Sequence, residues 1–137
     1  KSFHSKKYML DRIARYFGGR AAEEIIFGKE NITDGAGSDI YYATLIAKDI
    51  VTKYGMTEKF GPVFLEATEE DYMLQRKYYS GKEVDDEIRK IITEQYSRAK
   101  NILLDNRDKL EEVTNILLEK ETIMGDEFEA IMADKNI

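Results

Sequence analysis

Apolar residues recur at three- and four-residue spacing through most of the chain, which predicts helices rather than strands. Met9, Leu10, Ile13, Phe17 and Ala21 form the first such stripe, and Ser5 is a suitable N-cap. One helix is therefore expected from Ser5 to about Phe27. Gly18 and Gly19 fall inside it. A glycine in a helix interior costs about 1 kcal/mol relative to alanine, so the pair calls for a compensating reason. Close approach of another helix is the simplest, and a kink or closeness to a functional site is the alternative.

Residues 28–37 read as a loop. A second stripe follows at Ile40, Ala43, Ala47, Ile50, Val51 and Tyr54, and predicts a helix with that face buried. Either Asp34 or Ser38 can cap its start, and Gly55 suits the left-handed position just beyond its end. Pro62 to Glu66 is a short apolar run between breakers, consistent with at most one short strand or hairpin. Residues 68–82 are charged and rich in tyrosine, and read as an exposed loop. From Glu83 a long amphipathic helix carries Ile88, Ile91, Ile92, Tyr96, Ala99, Ile102 and Leu103 to about Asn106. Another is expected from Arg107 to Lys120 with Leu110, Val113, Leu117 and Leu118. A last short one follows Asp126 with Phe128, Ile131 and Met132. Short connections among these three favour an antiparallel bundle. The fold class is all-α, which a single proline in 137 residues permits.

Composition narrows the function classes. The length fits one domain, 1–137, and 42% hydrophobic with 35% charged residues fits a folded chain. A net charge of -6 disfavours nucleic-acid binding. No apolar run approaches the roughly 20 residues needed to span a bilayer, and no charged-then-apolar leader is seen, so the expectation is a soluble segment. The absence of cysteine excludes disulfides and thiolate metal sites and suits a cytosolic-type compartment.

Among candidate chemical groups, Asp39 stands out. It follows a glycine-rich turn, in or just before the first turn of a helix, where free N–H groups and the helix dipole stabilise a carboxylate. On residue type alone it is a cap or first-turn charge. The turn lacks GxxxxGK[ST], which argues against nucleotide binding by this chain. Glu23 and Glu24 are paired carboxylates, but adjacent helical residues point about 100° apart and do not readily share a substrate. On residue type alone each is a plain surface or buried ion-pair residue. Arg20 itself reads as a salt-bridge or packing residue. His4, the single histidine, reads as exposed, and the tyrosines show no cofactor pattern.

Three ordered segments carry a family resemblance. LDRIARYFGGRAAEEIIFG, ITDGAGSDIYYATLIAKDIVTKYGM and EKFGP, between Leu10 and Pro62, resemble the peptidase domain of the FtsH family of membrane-anchored, ATP-dependent zinc metalloproteases. Asp86 to Lys100 resembles its C-terminal helices more loosely. The resemblance implies a helical peptidase domain, with 1–61 as its metal-site half and 83–137 as its C-terminal helical part. It also implies that Asp39, in Thr33-Asp34-Gly35-Ala36-Gly37-Ser38-Asp39-Ile40, is the third zinc ligand beside two histidines of an HExxH helix. The family often has asparagine where Ser38 stands, and Asp34 lengthens the segment by one residue. Glu23, Glu24 and Arg20 become candidates for orienting the ligands.

HExxH itself is absent from this chain, and with it the general-base glutamate. No catalytic residue is therefore assigned here, and the chain alone is expected to be inactive with an incomplete zinc site. By resemblance, the parent protein is a homo-hexameric protease of unfolded or membrane proteins on the cytoplasmic face of a membrane, with ATP bound only in a separate module. Two other readings stay open: a catalytically inactive peptidase-like scaffold or assembly module, and a free-standing acidic helical bundle that binds a protein.

Overall fold

Ser5 starts the fold as expected: its hydroxyl accepts the Tyr8 N–H at 3.0 Å and caps α1, Lys6–Tyr16. In the computed structural model, residues 3–66, 70, 73, 81–112 and 115 are described. Among the described residues the other helices bounded at both ends are α2 (Gly18–Phe27), α3 (Gly37–Thr52) and α4 (Gly81–Asp105), with 3-10 turns at Lys29–Asn31 and Asp34–Ala36. Among the described residues there is no strand, and the fold is all-α.

The expected first helix is two. Phe17 closes α1 and opens α2, its N–H shared between the Ile13 and Ala14 carbonyls, both at 3.2 Å. The two glycines open α2 immediately after this break. A Cβ built on either would meet nothing within 4 Å, so helix–helix approach is not their reason. They follow directly on the break between the two helices.

The stripe on α3 is the centre of the core. Ala43, Ala47, Ile50 and Val51 are fully buried, together with Ile13 of α1 and Ala21 of α2. Ile40 is half-buried, and Tyr54, expected in the same stripe, lies beyond the helix and is exposed. α1 packs against α3, and α4 lies against α1, α2 and α3. From α4, Ile91, Gln95 and Ala99 are buried and Ile88, Ile92, Tyr96 and Leu103 pack around them, whereas Ile102 is exposed.

Gly55 sits at φ +59°, as its place after the helix predicts, and a Cβ there would lie 2.6 Å from the Pro62 Cα. The segment expected as a possible strand, 62–66, instead lies along the end of α3: the Leu65 N–H donates to the Thr52 carbonyl at 2.7 Å. In 68–82, expected as a loop, Glu70 and Met73 are helical, and Gly81 and Lys82 already belong to α4. Beyond Asn106 the chain is helical again over 107–112. Asn115 of that expected helix is helical too; its other residues beyond Glu112, the helix expected after Asp126 and the rest of 68–80 lie outside the described residues.

Candidate functional site

Asp39 is the third residue of α3. Neither expected cap serves this helix: Ala36 is the N-cap residue, with no side-chain bond. Asp34 and Ser38 are exposed. The polar cap sits one turn earlier, where Thr33 Oγ1 accepts the Gly35 N–H at 3.3 Å and starts the 3-10 turn that runs straight into α3. Asp39 is half-buried, and its carboxylate has no hydrogen-bonding or ionic partner among the described residues.

The neighbouring glutamates of α2 part company, as their angular offset predicts. Glu23 turns to the loop before α3. Its Oε1 accepts the Thr33 N–H at 3.0 Å and its Oε2 accepts the Thr33 hydroxyl at 2.9 Å. These bonds, helped by the nearby positive charge of Arg20, hold its pKa below the ordinary value. Glu24 turns inward to α4. One oxygen accepts the Tyr96 hydroxyl at 2.8 Å and the other accepts the Lys100 ammonium. Its side chain is 7% exposed, and the bonds from Lys100 and Tyr96 keep it ionised in spite of burial. Burial and the Glu24 carboxylate push the Tyr96 phenol up to about 12.

Arg20 joins the second cluster. Its guanidinium lies over the Tyr96 ring, 5.5 Å from the centroid, and its buried Nε has no hydrogen-bond partner among the described residues. Thus Arg20 and Glu24 meet at Tyr96, while Glu23 is tied to the segment leading to Asp39. Helical spacing places Tyr96 on an apolar stripe and assigns Thr33 and Lys100 no role of their own. Their partners lie 10 to 76 positions away, and no local spacing signals them.

Asp39 suits one place in a metal site. It is an accessible carboxylate not already used by another group, the donor type that zinc accepts beside nitrogen ligands. A catalytic zinc needs three protein ligands, and among the described residues no group of three histidine, cysteine or acidic side chains could hold a metal. His4 is exposed and stacks on Tyr8 at 4.4 Å. Asp39 could serve as one such donor, and among the described residues no group of three completes a site around it. No helix among the described residues is long and apolar enough to cross a membrane.

The model of peptidase family M41 matches residues 1–131. Three bacterial proteins, each named ATP-dependent zinc metalloprotease FtsH, are similar over nearly the whole chain. That of Caldicellulosiruptor bescii is 43% identical over 96% of this chain, that of Leptotrichia buccalis 45% over 94%, and that of Thermotoga maritima 40% over 96%. The likeness covers 22%, 17% and 22% of those proteins respectively. The chain thus spans about a fifth of the length of these relatives.

Proposed function

This chain belongs to peptidase family M41, and from that premise we propose that it supplies one zinc ligand, Asp39, to an ATP-dependent zinc metalloendopeptidase. The observation that carries the reading is the state of Asp39: a half-buried carboxylate without a partner among the described residues, at the start of a helix. It stands in the segment that resembles the family's ligand segment. The relatives' shared name, zinc metalloprotease, supports the metal and the reaction class.

In this reading the two remaining ligands and the general base come from an HExxH helix outside these 137 residues. Bound zinc would acidify its water and polarise the scissile carbonyl. The chain's own contribution is to hold Asp39 in place. Arg20, Glu23 and Glu24 support the ligand-bearing elements rather than react. The chain alone is inactive, because one carboxylate does not retain zinc against water.

The chain acts as one domain, 1–137, divided into a metal-site half at 1–61 and a C-terminal helical part at 83–137. The whole protein takes unfolded or membrane proteins as substrates. It works as a homo-hexamer anchored at the cytoplasmic face of a membrane and uses ATP through a separate module.

Asp39→Ala in the full-length protein tests the assignment. The variant should lose zinc and peptidase activity while its helical circular dichroism stays unchanged. Full zinc and full activity would refute the role of Asp39. A full-length protein that assembles normally but neither binds zinc nor cleaves would favour the inactive scaffold.

A further inference from the structure

Accepting Asp39 as a ligand, we infer that Glu23 is a positioning residue that sets Asp39 through Thr33. Both oxygens of Glu23 are committed to one residue, taking its N–H at 3.0 Å and its hydroxyl at 2.9 Å. Such a clamp fixes backbone and side chain together, and charge-assisted bonds are the stronger kind. Thr33 passes the constraint on. Its Oγ1 accepts the Gly35 N–H, and the 3-10 turn so capped continues into α3 without a break, placing Asp39 six residues after the clamp.

Apolar packing holds α3 from Ile40 onward, but does little for the segment that leads into it. From Gly28 to Ser38 only Ala36 is buried and only Ile32 is half-buried. The clamp's other end is firm, because α2 is tied to α4 by the Glu24 bonds to Tyr96 and Lys100. Position is therefore handed from α4 to α2, from α2 to Thr33, and from Thr33 to the start of α3. Neighbouring groups that orient metal ligands typically matter ten- to a hundredfold in metal affinity.

The competing role for Glu23 is a direct bond to a histidine ligand. The two roles separate at Thr33, which only the clamp requires. The test uses the full-length protein. Zinc affinity is measured by chelator competition, and exchange of the Gly35 amide is followed in the zinc-free protein. Glu23→Ala should weaken zinc about ten- to a hundredfold and speed Gly35 exchange. Thr33→Val should shift both in the same direction, Thr33→Ser should retain wild-type values, and the Glu23→Ala/Thr33→Val pair should be no worse than Glu23→Ala alone.

Loss of zinc in Glu23→Ala with wild-type affinity in Thr33→Val would overturn the inference in favour of a direct bond. Wild-type affinity in Glu23→Ala, with Asp39→Ala losing its metal, would overturn the inference alone. Wild-type affinity in Asp39→Ala would remove the assignment of Asp39 and the inference with it.

Discussion

The Tyr96 hydroxyl donates to Glu24 at 2.8 Å across 72 positions of sequence, joining α4 to α2 at a buried glutamate. This contact lies under the Arg20 guanidinium and beside Phe17, whose ring meets that of Tyr96 edge-on at 5.3 Å. The junction of α1 and α2 is thereby pinned to α4.

Tyr96 should titrate late. Its pKa is raised from 10.0 to about 12. The neutral phenol's contribution to stability is thus fully present below pH 10.0 and lost as pH rises from there towards about 12. In an ultraviolet titration of the folded protein, Tyr96→Phe should remove a late tyrosinate component. It should also flatten the fall in stability over that alkaline range. The same variant should cost about 1–2 kcal/mol at neutral pH, read from urea unfolding.

Glu24 should show the opposite sign. Its pKa is lowered by Lys100 and Tyr96 from an ordinary 4.5, so its contribution is present above that value and lost as pH falls below it. Glu24→Ala should destabilise by about 1–3 kcal/mol at neutral pH. The upper end is discounted because the Lys100 side chain is 37% exposed and is well solvated once released. The variant should also lose less stability than the parent on acidification. Glu23 and Asp11 have lowered pKa values too, held by Thr33 and Arg98 respectively, so an acid slope will persist.

The glycines should divide into two kinds. Gly55→Ala meets the Pro62 backbone at 2.6 Å and forces alanine to φ +59°, so a loss of more than about 1 kcal/mol is expected. Gly18→Ala and Gly19→Ala meet nothing and lie in helical positions, so each should gain about 0.5–1 kcal/mol. Thermal unfolding of the three variants checks both directions. A loss at Gly18 or Gly19 would show that the break at Phe17 needs glycine beyond it.

The helical class and the α3 core stripe were legible in the sequence because burial on one side of a helix imposes a repeat on residue type. Four of the six residues expected in that stripe are fully buried. The break at Phe17 was hidden because the same repeat runs across it: the Ala21 N–H still donates to the Phe17 carbonyl at 2.9 Å, and both residues are buried. Glu70, Met73, Gly81 and Lys82 misled because charge and tyrosine in their segment reveal exposure, and an exposed helix has the same composition as an exposed loop. At the candidate site, Asp39 is singled out by its place in a recognisable segment. The partners of Glu23 and Glu24 depend on how α2 sits against its surroundings, which local spacing does not encode.

The most direct test of the central claim asks which atom touches the metal. Asp39→Cys places a thiolate where the oxygen donor is assigned, in a chain that has no cysteine of its own. X-ray absorption on zinc in the full-length variant should then show a new sulfur neighbour at about 2.3 Å, absent from the parent spectrum. A zinc shell unchanged from the parent, with metal fully bound, would contradict the assignment of Asp39 as a ligand.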